Sequence, residues 1–493
     1  MARKLRILMA SSEAHPWSGG GGLAESVSAL AGALVARGHR VDLLVPHVPA
    51  LMPRPSPPLE DLGALQLPVG GGTIHARLLT PAPDAALRPL LLAAPELYTR
   101  PGLYGEAGTD YTDNCTRFTA LGRAANLVGA ALRQRYDVLH CHDWPTGLGP
   151  YYSRETRAAG GAGAARCTVF TVHNAAYQGL FWPLDLPILG LGAEHYAPER
   201  LEFFGKLSFL KAGVVSADRV TTVSATYARE LLSPEAGGGM DGPLRARGSA
   251  FVGVPTGIDA ARWDPATDPH LPARYSDPLS SERRTCVTFF RQECGLPQDE
   301  HPVLAVVGPL NTQKGSDVLP DAAEGILAAG AHLAVLGSGD AALETALREL
   351  AARHAGRVAF QPGFDEGRIH RAVAGADFLL IPSRVEPAGQ APLAGQRYGT
   401  PAVARRTGAL RDVVMDVDAN PAQGTGITYV GEGEAPLLGA VARAVALRRD
   451  TARYQAAQKL ASVQDVSCGP AAARYEQLYL EALSPSEPRE KPA

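Results

Sequence analysis

Residues 6–46 read RILMASSEAHPWSGGGGLAESVSALAGALVARGHRVDLLVP. The apolar run at 6–11 suits a short buried strand, and the loop after it holds Gly19, Gly20, Gly21 and Gly22. Leu23, Val27, Leu30, Ala31 and Leu34 then recur at helical spacing, Gly38 supplies a C-terminal stop, and 40–46 resumes as a strand. Strand, glycine loop, helix, strand predicts the first βαβ unit of a doubly wound sheet. Working outward, 137–141, 167–172 and 219–223 are further strand candidates, while 51–90, rich in Pro and Gly, reads as an excursion from the main sheet. The pattern restarts with a strand at 302–307, a loop at 308–315 and a helix at 317–329. A strand at 332–336, a helix at 341–354 and strands at 358–361, 378–382 and 401–404 follow. The fold class expected is α/β: two Rossmann-like doubly wound domains facing a central cleft, joined through a polar, Pro-rich stretch around 255–285. The polar, Pro-rich tail at 484–493 is expected to fray.

Composition narrows the function classes. At about 150 residues per domain, a chain of 493 residues allows about three units or two large ones. Lys plus Arg is 47 against 50 for Asp plus Glu, a net charge of −3, with no basic run interleaved with aromatics. A nucleic-acid partner is therefore not expected. No apolar run approaches the ~20 residues needed to span a bilayer, so no membrane partner is expected either. The start, MARKLRILMA, holds only a four-residue apolar run, Ile7 to Ala10, too short for a signal peptide. The six cysteines, 115, 141, 167, 286, 294 and 468, form no CxxC pair and read as free thiols of a cytoplasmic protein.

Each chemistry-bearing motif follows a predicted strand. Gly19 to Ala24 formally matches the dinucleotide pattern GxGxxA, but the acid that should grip a ribose at the end of the second strand is absent; Asp42 lies near that strand's start. More generally, glycines before a helix let backbone N–H groups approach a phosphate or a sugar. His140 and His142, two apart on a strand in His-Cys-His-Asp-Trp, raise a metal site. A metallohydrolase pattern would want an acid at 144, which is Trp144, and no second cluster of His and carboxylates stands at ligand spacing; no metal ligand is expected. Asn174, Tyr177 and Gln178 follow a strand and suit a hydroxyl-rich ligand. Lys314, at a strand-to-helix turn, is placed to meet a phosphate oxygen. Arg384, Glu386 and Gly389 follow the strand at 378–382, where a carboxylate would sit in the cleft or cap a helix.

Together these segments resemble the bacterial glycogen synthase and plant starch synthase family. The matching stretches include Ser11-Ser-Glu13, Gly21-Gly-Leu23-Ala24, Tyr111-Thr-Asp113-Asn114, His140-Cys-His-Asp-Trp144, Phe170-Thr-Val-His-Asn174 and Tyr177-Gln-Gly179. Gln313-Lys-Gly315, Gly375-Ala-Asp377, Pro382-Ser-Arg384, Glu386-Pro387 and Tyr398-Gly-Thr-Pro401 continue them in the family's order over nearly the whole chain. The resemblance implies the GT-B glycosyltransferase fold. Residues 1–255 would form the acceptor-side domain, 256–469 the nucleotide-sugar domain, and a helix and tail at 470–493 would pack back on the first. It implies retaining transfer of glucose from ADP-glucose to the non-reducing end of an α-1,4-glucan, with no cofactor or metal ion; it leaves the oligomeric state open. Carried over, Gly21 and Gly22 would face the diphosphate, His142 would lie beside the transferred glucose, Lys314 would neutralise the leaving diphosphate and Glu386 would stand near the sugar ring. Glu25, Asp113, Asn174, Tyr177, Gln178, Arg384 and Gly389 complete the expected substrate-binding set.

The sequence departs from that pattern at the donor site. Gly19 stands where the family has a substrate-contacting lysine, Glu25 where aspartate is usual, Thr256 in place of an asparagine and Pro309 in place of a diphosphate-binding arginine; Ala388-Gly-Gln-Ala391 replaces the usual Cys-Gly-Leu-Thr. Proline cannot replace an arginine's bidentate, charge-assisted bonds. Three readings stay open: an active ADP-glucose-dependent synthase, a non-catalytic relative that binds glucan or regulates a synthase, and an enzyme using another activated sugar.

Overall fold

The computed structural model describes residues 3–106 and 108–484; of the tail expected to fray, all but Ser484 lies outside them. The chain forms two units, one running to Thr256 and resuming at Cys468, the other spanning Gly257–Ser467. In the first, nine strands make one sheet: β1 (Arg6–Ala10), β2 (Arg40–Pro46), β3 (Glu60–Val69), β4 (Gly72–Thr80), β5 (Leu87–Ala93), β6 (Tyr136–His142), β7 (Ala165–Val172), β8 (Arg219–Thr222) and β9 (Phe251–Gly253). Their order is β9-β8-β7-β6-β1-β2-β5-β4-β3. The segment from β9 to β5 is parallel, with Ile7 level with both Val41 and Val138. Helices cover both faces of such a sheet, which is why its strands read as continuous apolar runs.

The expected excursion at 51–90 is corrected by this topology. β3 and β4 form an antiparallel hairpin that extends the same sheet beyond β5. Leu65, Leu67 and Val69 alternate with exposed residues along β3 and pack one face inward. That period-2 pattern marks an edge hairpin with one wet face, unlike the buried central strands.

In the second unit six parallel strands follow: β10 (Val303–Val307), β11 (His332–Leu336), β12 (Val358–Gln361), β13 (Phe378–Ile381), β14 (Ala402–Arg405) and β15 (Gly426–Tyr429). Their order is β12-β11-β10-β13-β14-β15. Chain order reverses beside β10, so the loops after β10 and β13 leave neighbouring strand ends at a topological switch point, where open α/β sheets bind ligands. The helix expected at 317–329 begins as a 3₁₀ turn at Ser316–Val318 and becomes α-helical at Leu319–Ala328.

Three helices matter for the site: α1 (Gly22–Ala36), α2 (Gln390–Arg397, in the second unit) and α3 (Gly469–Leu483). Val27, Leu30 and Leu34 of α1 share a core with Ala472, Tyr475 and Tyr479 of α3. An ion pair between Arg37 and Glu476 closes the rim of that contact. All six cysteines are unpaired, and no described helix is long and apolar enough to cross a membrane.

Candidate active site

In the first unit, chemistry gathers where β1, β6 and β7 end. The loop after β1 turns Glu13 back beneath the glycines. Tyr104 donates its hydroxyl to Glu13 Oε1 at 2.7 Å, and the Ser12 hydroxyl lies 2.8 Å from the same phenol oxygen. Burial raises the Glu13 carboxyl above the usual carboxylate range, against the pull of Tyr104 and of the Gly21 N–H. Gly19 has φ +77°, and a Cβ there would stand 3.0 Å from Glu13 Oε2. That position favours glycine twice, by handedness and by space. Gly21 is the N-cap of α1 with no side-chain cap, Gly22 opens the helix, and Glu25 lies in its first turn.

The ends of β6 and β7 carry three buried groups. The His142 imidazole is fully buried; its Nδ1 is 3.0 Å from His173 Nε2, while its Nε2 has no hydrogen-bond partner among the described residues. It lines a cavity of about 10 Å³ with Ser26, His173 and Thr256, room for about one water. Burial holds His142 well below the ordinary histidine range and His173 at about 3, so both are neutral at neutral pH. Asp143, at φ 55°, accepts the N–H groups of His173 (2.7 Å) and Asn174 (3.3 Å). Burial, with the Glu13 charge adding to it, pushes its carboxyl up to about 7.

A hydrogen-bonded chain supports this cluster from behind. Tyr479 of α3 meets His140 Nδ1 at 2.7 Å, His140 Nε2 meets the Thr171 hydroxyl at 2.7 Å, and Thr171 continues to Thr221 and to Tyr475 of α3. The His140 ring lies 4.1 Å from that of His142. Tyr479→Phe leaves His140 Nδ1 buried and unpaired. Urea unfolding should show a loss of about 1–3 kcal/mol, and an unchanged midpoint would mean the chain carries no stability.

The other expected residues of this unit stand apart from that cluster in different degrees. Tyr177 is 55% exposed, and Gln178 is turned to the carbonyls of Ala175 and Gly238. Asp113 forms a two-pronged pair with Arg100. Its neighbours do the positioning: Asn114 Nδ2 and the Tyr111 N–H both donate to the Tyr104 carbonyl, holding the segment that brings Tyr104 to Glu13.

In the second unit, Lys314 Nζ bonds both Glu386 oxygens, at 2.9 and 2.8 Å. Ser383 donates to Glu386 Oε2 at 2.9 Å, and the Lys314 N–H is fixed by Asn311 Oδ1 at 2.8 Å. Gly315 (φ +68°) lets the loops after β10 and β13 meet: a Cβ there would stand 2.1 Å from the Pro382 carbonyl. Glu386 is 7% exposed, while the Lys314 side chain is 31% exposed and so partly open to solvent. Gly389 (φ +66°) caps α2 without a side-chain bond, leaving a helix N-terminus of the kind that attracts anions. Arg384 is tied to Asp317 at 2.6 and 2.9 Å and to the Thr312 carbonyl; Arg405 is tied to Glu432 and to the Gly431 and Arg384 carbonyls. Both are engaged within the unit, and Pro309 stands exposed beside Gly308.

Sequence reasoning passed over Tyr104, Asp143, His173 and Ser383 as site members, although three of them lie inside quoted motifs. It also missed a histidine–carboxylate cluster. Against the expectation of none, Asp299, His301 and His332 bring ligand-type atoms within 4.8 Å of one another. His332 is distant in sequence, and the parallel register that sets Val303 beside it was not legible.

Two α/β units with polar groups at the ends of their parallel strands suit a glycosyltransferase of the GT-B type, and the comparisons show that class. Residues 6–246 match the family model of the starch synthase catalytic domain and 301–437 that of glycosyl transferases group 1. Glycogen synthase of Anaeromyxobacter dehalogenans strain 2CP-1 is 42% identical, covering 96% of this chain and 98% of its own. That of Halorhodospira halophila is 41% identical over 97% and 99%. The catalytic domain of starch synthase IV from Arabidopsis thaliana, solved with ADP and acarbose, superposes with a TM-score of 0.91 at 26% identity, over 98% of this chain and 100% of that one. Sucrose-phosphate synthase from Thermosynechococcus elongatus shares the fold, with a TM-score of 0.60 at 18% identity. The chain belongs to the glycogen synthase family and is a hexosyltransferase of the glycogen and starch synthase type.

Proposed function

We propose that this chain transfers glucose from ADP-glucose to the non-reducing end of an α-1,4-glucan with retention of configuration, in the cytoplasm. The carrying observation is the Lys314–Glu386–Ser383 constellation at the switch point of the second sheet. Breaking the bond between the sugar and the diphosphate leaves positive charge on the sugar and negative charge on ADP. A fixed ammonium beside the phosphate stabilises that state more than the bound donor. Lys314 supplies the ammonium, and the helix N-terminus that Gly389 caps adds oriented N–H donors. Glu386, held by two partners, presents fixed negative charge toward the sugar. His142 is neutral, so it serves as a hydrogen-bonding group and not as a cation; Asn174, Tyr177 and Gln178 are the hydroxyl-binding set.

Incubation with radiolabelled ADP-glucose and glycogen tests this reading: label should enter the polymer, and none doing so under conditions where a known synthase works would overturn it. One observation favours a second reading, a glucan-binding or regulatory relative with impaired catalysis. Pro309 and Gly19 lack the family's cations, and the nearby Arg384 and Arg405 are already paired. On that reading the protein co-sediments with glycogen while label incorporation fails.

A further inference from the structure

We propose that Asp299, His301 and His332 form a binding site for one divalent transition-metal ion of the zinc class, at the end of the second unit's sheet opposite Lys314 and Glu386. Asp299 and His301 lie just ahead of β10, and His332 opens β11, paired in parallel register with Val303. The two strands therefore start side by side, and their leading residues converge.

The carboxylate sits between the two imidazoles and Arg291. Its Oδ1 accepts the His301 N–H at 3.1 Å, faces Arg291 at 3.3 Å and, like Oδ2, lies 3.1 Å from His332 Nε2. Its Oδ2 lies 3.0 Å from His301 Nδ1 and 3.1 Å from His332 Nε2. Ligand atoms around a tetrahedral zinc, at bonds of about 2.0–2.1 Å, stand about 3.3 Å apart. The carboxylate oxygen thus stands near ligand spacing from each ring nitrogen, all three atoms lie within 4.8 Å of one another, and Arg291 and a backbone N–H orient the carboxylate. Arg291 is itself fixed by Asp377 and the His301 carbonyl, so it stays on the Oδ1 side.

On binding, each imidazole offers its ring nitrogen's lone pair to the ion. The proton that each ring nitrogen now donates to the carboxylate moves to that ring's other nitrogen or leaves to solvent. Two imidazoles and one carboxylate suit zinc, nickel, copper or cobalt, whereas magnesium and calcium want oxygen. His301 and Asp299 are exposed, which gives the ion an entry path and leaves its remaining positions to water. His332 Nδ1 has no partner among the described residues, so the affinity should fall below that of a closed four-ligand structural site.

Chelator-treated full-length protein, titrated with zinc chloride by calorimetry and with cobalt chloride by visible absorption, tests the site. One zinc per chain should bind with micromolar or tighter affinity, and cobalt should give the absorption of a four-coordinate centre. His301→Ala, at an exposed position, and Asp299→Asn, which keeps the side chain's size, should each weaken zinc binding by about tenfold or more, and magnesium should not compete. No saturable zinc binding, full affinity in both variants, or equal competition by magnesium would each overturn the proposal.

Discussion

Lys314→Ala should lower kcat for glucose transfer from ADP-glucose by about a hundredfold to a thousandfold, the range seen when one preorganised donor to developing negative charge is removed. The ammonium is held by both Glu386 oxygens and by a loop whose N–H is pinned to Asn311. Its work is therefore done at the moment charge appears on the diphosphate, and the loss belongs mainly in kcat rather than KM. Removing it also leaves Glu386 with Ser383 as its remaining side-chain partner among the described residues. Because the Lys314 side chain is 31% exposed, water can reach the vacated space, so the stability cost should be small beside the kinetic one. Lys314→Arg, which keeps the charge but not the point geometry, should recover part of the rate. Steady-state kinetics with glycogen as acceptor, alongside thermal unfolding, separates the two effects. A kcat within about threefold of the parent would show that Lys314 is only a structural partner of Glu386.

Pro309→Arg should raise kcat/KM for ADP-glucose by about tenfold to a hundredfold. Pro309 is exposed, and the turn it sits in is built by Gly308 at φ +133° and by the Leu310 N–H on the Ser338 carbonyl. An arginine there meets no packing and adds a bidentate donor to a site where Arg384 and Arg405 are already engaged. Gly19→Lys should help less. At φ +77° a side chain costs about 1–2 kcal/mol of backbone strain, its Cβ crowds Glu13, and the new ammonium would pair with that carboxylate. The ranking is a result of the geometry: sequence comparison alone weighs the two lost cations equally. If neither the single nor the double variant gains activity, the donor site is not a weakened synthase site, and the glucan-binding reading gains.

The parallel strands were legible because both their faces are buried; β11 and β12 lie where their apolar runs stand. The β3–β4 hairpin was misread because its alternation is diluted by Gly and Pro, although Leu65, Leu67 and Val69 carried it. Lys314 and Glu386 could be named from their loops, but their direct pairing across 72 residues could not. Nor could the engagement of Arg384 with Asp317, which lies 67 residues away. Local spacing exposes Asp299 and His301, while His332 joins them only through strand register. Sequence reveals which groups are present on each loop. Their charge state and spare valence depend on partners that the fold supplies.

The helix at Gly469–Leu483 has a consequence for biosynthesis. Tyr479 and His140 are bonded across 339 residues of chain. At roughly 5–20 residues per second, the ribosome makes one partner about 17–70 s after the other. Within that interval β7, β8 and β9 complete the sheet that will hold His142, and from Gly253 onward it stands without the helix that covers it while the second unit is synthesised whole. The second unit can fold in one uninterrupted stretch, whereas the first must wait as an open intermediate for its last helix. Nascent chains stalled just short of that helix should therefore be the ones that chaperones and proteases recognise.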